Sequence, residues 1–301
     1  MSATSMLQLG STVLLNASFA TIVGTLTARF WLRSSAGPDH HVKVIDALHR
    51  TELVATGLGV FAACLALWAA SAVMMGGQLA EAAAMLWTMA IQTAYGQAGL
   101  VGLAILIAVG ALSFFSPKSA GADAAMVVLL LGFAASRASV SHAGESGTFS
   151  LNFGVEWVHL LLIALWLGGV GIAGWIVLPM AHPNRTEQLE IDRYLTLLSH
   201  AATVALLGIF ATGLYNAWQR VGTVQNVFGN LYGTALLVKL CFIAVVVALG
   251  GYNKLFGFPA VTRSAHASPH VIVILRFESL LLLGALAAAA VLTSNQPPMA
   301  V

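Results

Sequence analysis

Residues 156–179 read EWVHLLLIALWLGGVGIAGWIVLP, and Glu156 and His159 are the only ionisable side chains among them. An α-helix needs roughly 20 apolar residues to cross a bilayer, and a membrane β-strand alternates over about 10, so this stretch reads as a spanning helix. Working outward from it, seven more stretches of the same kind lie at roughly 8–32, 52–76, 93–115, 123–141, 198–219, 232–252 and 271–294. Composition agrees: 59% of the 301 residues are hydrophobic and 8% are charged, where a soluble domain carries about 25% charged residues. The predicted fold is all-α, a polytopic integral membrane protein with eight transmembrane helices, because helices satisfy their backbone hydrogen bonds without water.

No Lys or Arg precedes Arg29, so the first stretch lacks the basic start of a cleavable signal and is expected to stay as a helix. Basic residues gather between the first and second helices (Arg33, Lys43, Arg50), the third and fourth (Lys118), the fifth and sixth (Arg185, Arg193) and the seventh and eighth (Lys254, Arg263). The positive-inside rule then turns these loops to the cytoplasm and leaves both termini outside. Residues 77–92, with Gln78, Glu81, Met85 and Met89 at three- and four-residue spacing, read either as a short interfacial helix or as an extended start of helix three. Trp68 and Trp218, and Thr93-Ala94-Tyr95-Gly96 beside Asn230-Leu231-Tyr232-Gly233, suggest a four-helix unit used twice in parallel orientation. The chain divides accordingly into a first transmembrane unit, 1–122, and a second, 123–301, within one membrane domain.

Four side chains that can bind metal stand within eighteen residues: His142, Glu145, Glu156 and His159. Glu156 and His159 are spaced i, i+3 and share a helix face, while His142 and Glu145 leave helix four just before the same outward loop. Imidazole nitrogen with carboxylate oxygen suits Cu(II) or Zn(II), and the glutamates can instead hold the histidines in one tautomer. The bland reading leaves both glutamates in water at loop ends and His142 as a helix cap. Met74 and Met75, at the outer end of helix two, bring thioether sulfur that favours Cu(I), although methionine is also the usual filler of irregular packing. Cys64 and Cys241, near the middle of helices two and seven, read as small apolar fillers. His40, His41, His49, His182, His200, His266 and His270 are assigned to the cytoplasmic loops and their edges.

Lys239 lies seven residues beyond Tyr232 on the same face of helix seven. An ammonium at that depth turns to the bundle interior, a wet cavity or the interface, and it acts as a structural or gating charge because it repels a cation.

The segment Ser141-His142-Ala143, Val158-His159-Leu160 and Leu165-Trp166-Leu167-Gly168-Gly169 resembles the signature of the CopD family of copper resistance inner-membrane proteins. The similarity continues through Thr212-Gly213-Leu214-Tyr215-Asn216-Ala217, Tyr232-Gly233, Gly250-Gly251-Tyr252-Asn253 and Glu278, covering residues 123 to 295. The first half resembles the family in helix count and general character. The resemblance implies a bacterial inner membrane, copper as the ion handled, His142 and His159 as leading ligands, and a periplasmic copper chaperone as partner beside the lipid bilayer. No Gly-rich sequence ending in Gly-Lys-Ser or Gly-Lys-Thr and no Ser-His-Asp or Cys-His arrangement stands out, so neither nucleotide-driven transport nor an enzyme is expected, and no nucleic-acid partner. Two alternatives remain: a redox protein with haem between two axial histidines, and a copper sensor or accessory subunit that does not transport.

Overall fold

The computed structural model describes residues 2–33, 40–115, 120–141, 150–181, 185–221, 231–263 and 268–293, and every regular element within them is helical. The elements are α1 (Ala3–Arg33), α2 (His40–Met74), α3 (Ala82–Gln92), α4 (Ala94–Phe115), α5 (Ala120–Ser139), α6 (Leu151–Ile172), α7 (Leu178–Met180), α8 (Arg185–Val221), α9 (Leu231–Tyr252), α10 (Phe258–Arg263) and α11 (Ser268–Thr293). Single π-helical turns, Ala173–Val177 and Asn253–Gly257, join α6 to α7 and α9 to α10. Eight runs are long and apolar enough to cross a bilayer, and each overlaps a stretch expected from the sequence. Eight crossings bring Ala3 and Thr293 to one side, here the terminal face, with the α2–α3, α5–α6 and α8–α9 connections.

The outer surface is what lipid requires. Along α8, Val204, Leu207, Phe210, Leu214 and Trp218 are exposed at three- and four-residue steps, a continuous apolar stripe that water would not tolerate.

Two helices begin about a dozen residues earlier than expected. His49 and Arg50 therefore lie within α2, which starts at His40, and Arg193 and His200 within α8. The extra turns form because they still carry core side chains: Leu48 is fully buried with Val44 and Ile45 packed near it, and Tyr194, Leu195 and Leu198 are buried on α8. Of the two readings of 77–92, the separate helix is the one found. Gly76 and Gly77 turn the chain out of α2 with φ of 71° and 90°, a left-handed conformation that glycine adopts without a Cβ clash. Extended Thr93 then separates α3 from α4, its hydroxyl accepting the Gly96 amide at 2.9 Å.

Both π-turns have the same local cause. A proline stands six residues after the start of each, Pro179 and Pro259, and a proline inside a helix removes one amide and crowds the carbonyl four residues back. One extra residue in the turn relieves that conflict. The carbonyl of Gly174, in the first π-turn, accepts Nε of Arg276 from α11 at 3.0 Å.

At the core α1 crosses α6 with backbones in contact. A Cβ on Gly168 would strike the carbonyl of Ala20, and one on Gly24 the backbone of Gly168, so Gly24 and Gly168 together permit this approach. Toward the face opposite the termini, Arg29 is buried beside Glu52, with Nη2 2.9 Å from Glu52 Oε2 and 3.3 Å from Asp123 Oδ1. Ser113 donates to Glu52 Oε1 at 2.6 Å and Thr25 to Oε2 at 3.3 Å. A lone charge at this depth is costly. The cluster neutralises it and thereby ties α1, α2, α4 and α5 together.

Candidate metal-binding cavity

Ser150 starts α6 by accepting the Phe153 amide at 3.1 Å, a side-chain N-cap that fixes the phase of the helix. Trp157 Nε1 donates to the Leu131 carbonyl of α5 at 3.0 Å. Glu156 and His159 consequently point between α6 and α8 and are only 7% and 6% exposed.

The terminal end of α8 is shaped to receive them. Thr212, Tyr215, Asn216 and Gln219 form a polar stripe at helical spacing on an otherwise lipid-facing helix. Asn216 Nδ2 donates to Glu156 Oε2 at 2.9 Å, Tyr215 OH donates to Asn152 Oδ1, and Gln219 Nε2 donates to the Tyr215 oxygen at 3.1 Å. His159 Nδ1 lies 2.8 Å from Thr212 Oγ1. That hydroxyl already donates its one proton to the Gly208 carbonyl at 2.6 Å, so toward the imidazole it is an acceptor and Nδ1 carries the hydrogen. The lone pair then sits on Nε2, the arrangement of a metal-ligating histidine whose other nitrogen is held by the protein. Gly213 faces the ring, where a Cβ would sit in ordinary van der Waals contact, 3.5 Å from His159 Cε1.

Glu156 and His159 line a cavity of about 230 Å³. Its walls come from α1 (Gln8, Thr12, Asn16), α4 (Tyr95), α5 (Arg137, with Ser141 just beyond), α8 (Gly213, Asn216), α9 (Tyr232, Lys239) and α11 (Thr293). The space exists because α9 packs chiefly along α11, while it is α10, near the opposite face, that returns to α8. The two peripheral helices diverge toward the terminal face. Lys239 lines this cavity, whose walls are largely apolar, and among the described residues Arg137 and Glu156 line it too.

The remaining candidates separate. His142 and Glu145 lie in 142–149, outside the described residues, although Ser141 just before them lines the cavity. Met74 is exposed on the last turn of α2, and neither it nor Met75 lines the cavity. Cys64 and Cys241 are exposed free thiols. Among the described residues no three His, Cys, Asp or Glu side chains converge as a ligand set. Thr212, Asn216, Asn152 and Arg137 were not singled out from the sequence as site residues. The signal available was the polar stripe of α8, four hydrogen-bonding side chains on one face of an apolar helix.

Comparison with known proteins shows what the chain is similar to. Residues 192–292 match the family model for copper resistance protein D, and residues 2–151 match that for the copper resistance protein D-like N-terminal domain. The first half therefore matches through a model of its own, beyond the general character read from its sequence. The copper resistance protein D of Pseudomonas syringae pv. tomato is 30% identical over 186 residues, covering 59% of each chain. The copper transport protein CutJ of Bacillus subtilis (strain 168) is 26% identical over 162 residues, 53% of this chain and 29% of CutJ. The chain thus spans well under two thirds of the length of either curated relative. No solved structure matches it. With both halves matched, the chain belongs to the copper resistance protein D family of membrane proteins.

Proposed function

We propose that this protein takes up copper at its terminal face, holds it at His159 and Glu156, and passes it inward along the seam between α6, α8, α9 and α11. The observation that carries the reading is the 2.8 Å pairing of His159 Nδ1 with Thr212 beside Glu156: a hydroxyl that already donates to the Gly208 carbonyl leaves Nε2 of this buried imidazole as the candidate ligand in the shared cavity. Two ligands are too few for a closed metal site. His142, on the segment that leaves the cavity rim at Ser141, supplies the third, with Glu145 at the entry and Met74 and Met75 as an outlying sulfur pair for Cu(I). The charge bias of the loops supports a periplasmic position for this face, where a copper chaperone would deliver the ion. Resemblance between the two halves supports a four-helix unit used twice.

Lys239 and Arg137 give the cavity a positive background, so a cation enters only while Glu156 and its ligands outweigh it. Lys239 thereby acts as a gate. The cavity, at about 230 Å³, falls below the roughly 300–1,000 Å³ of sites for drug-sized ligands, which favours an ion with its waters over haem. Uptake of copper into membrane vesicles of defined orientation tests the reading. Wild-type protein accumulates copper and the His142→Ala, His159→Ala double variant does not; wild-type vesicles that bind copper without accumulating it point instead to a sensor or accessory subunit.

A further inference from the structure

Glu278 stands apart from the cavity and has no role in the reading above. It lies on α11, nine residues after Pro269 and fifteen before Thr293 of that span, about 14 Å and 22 Å from the two ends at 1.5 Å per residue. It is 2% exposed. Its neighbours are Trp166 of α6, Asn253 at the start of the second π-turn, and Gly250, whose missing Cβ would lie 3.2 Å from Oε1. Asn253 and Trp166 are near enough to interact with the carboxyl, but Glu278 Oε2 and both amide atoms of Asn253 meet no hydrogen-bond partner in good geometry. Asn253 is itself only 1% exposed.

Charge around this pair is committed elsewhere. Arg276, on the same helix, donates to the Gly174 carbonyl and stacks 4.7 Å over the Trp175 ring. Lys254 of the π-turn donates to Thr203 at 2.8 Å, Arg29 of α1 is held by Glu52 and Asp123, and Lys239 of α9 lines the outer cavity with Tyr232, Glu156 and His159. Tyr252 and His270 face each other at 3.4 Å, Cys241 is exposed toward lipid, and Arg263 of α10 is exposed. Among the described residues no ion pair reaches Glu278. A carboxylate enclosed in this way requires a positive charge beside it. Hard metal ions take about six or more oxygen ligands, and this pair offers three side-chain oxygens. A proton needs one.

We propose that Glu278, steadied by Asn253, is a proton-exchange site at mid-membrane that couples proton movement to the passage of the cation from the outer cavity. Trp166 divides the two sites. It sits three residues, about 4.5 Å, further along α6 than the cavity residue Ile163 and on the same stripe. Glu278 releases its proton toward the face opposite the termini as a cation passes Trp166 and afterwards takes one up from the cavity side, so charge in the enclosed region stays balanced and one proton moves with each cycle.

Proton exchange stands without the transport reading, whereas coupling rests on it, and two measurements on the membrane-reconstituted full chain separate them. Infrared difference spectra across a pH titration should contain a protonated-carboxyl band that is lost in Glu278→Gln, kept in Glu278→Asp and displaced in Asn253→Ala; a wild-type spectrum unchanged by Glu278→Gln overturns the site. Proteoliposomes holding a pH dye should report proton movement on addition of copper, falling to the level of empty liposomes in Glu278→Gln while copper affinity at the outer cavity is retained. Copper uptake with the same proton movement in wild type and Glu278→Gln overturns the coupling. The infrared band without any wild-type copper uptake supports the proton site and overturns both coupling and transport.

Discussion

Replacing Thr212 with Val removes the acceptor that fixes the His159 tautomer while keeping a β-branched side chain of nearly the same volume. The two hydrogen bonds lost are those to His159 Nδ1, at 2.8 Å, and to the Gly208 carbonyl, at 2.6 Å. The second is a back-bond to the carbonyl four residues earlier in the same helix, and that carbonyl keeps its main-chain partner, so its loss costs the fold little. Losing the first lets the imidazole place its proton on either nitrogen and rotate. A floor for the effect comes from the net worth of one hydrogen bond, about 0.5–1.5 kcal/mol, or roughly two- to thirteenfold in affinity. A ceiling comes from outer partners of ligating histidines, whose loss costs about 10–100-fold. Copper affinity of Thr212→Val should therefore fall by roughly tenfold, about 1.4 kcal/mol, with Thr212→Ser close to wild type. Titration against a competing chelator measures the affinity, and nitrogen NMR of labelled histidine reads the tautomer. Unchanged affinity together with an unchanged Nδ1–H tautomer would refute the assignment of Thr212 as the group that orients His159.

Three other outcomes follow from the geometry. Glu52→Leu leaves Arg29 buried with only the longer contact to Asp123, and breaking one side of such a pair costs roughly 3–5 kcal/mol; the detergent-solubilised protein should melt lower, and Arg29→Met combined with Glu52→Leu should recover part of the loss. Gly168→Val forces α6 away from Ala20 and Gly24, an overpacking cost of about 1–3 kcal/mol, which thermal melting and weakened cross-linking of cysteines placed on α1 and α6 would register. Lys239→Gln removes a cation from the outer cavity, so copper should bind more tightly and the salt dependence of binding should flatten; weaker binding would mean that Lys239 positions Glu156 and does not oppose the ion.

The fold was legible because lipid leaves a chain few choices. Eight apolar runs imply eight helices whatever their packing, and the overlap with the observed spans follows from length and hydrophobicity alone. Helix ends were less legible where the apolar pattern continued past the run, as at Val44, Ile45 and Leu48, which bury the start of α2 although His40, Lys43 and Asp46 surround them in sequence. The site was half legible. Spacing placed Glu156 and His159 on one face, but an α6 sequence cannot say which helix that face meets. The partner became recognisable only when α8 brought Thr212 and Asn216 across, more than fifty residues away. Arg29 with Glu52 was hidden for the same reason: each reads as a helix-end charge until α1 and α2 are paired.

The two prolines set the geometry of the bundle toward the face opposite the termini. Pro179 and Pro259 each end a spanning helix with a π-turn near the face opposite the termini. There the first π-turn receives Arg276, and α10 packs against α8. The π-turn beginning at Asn253 therefore serves as the fixed end of α9, while the rest of that helix leans on α11 and away from α8. A helix anchored at one end and free along one side can widen or narrow the cavity at its other end by a small rotation about the anchor. The residues such a rotation carries toward or away from His159 are Tyr232, Leu236 and Lys239, and the residue at its pivot is Asn253, beside Glu278. In the proposed scheme, ionisation at the pivot and the position of Lys239 at the cavity are linked through one helix, which would give the proposed proton site a physical route to the proposed copper site.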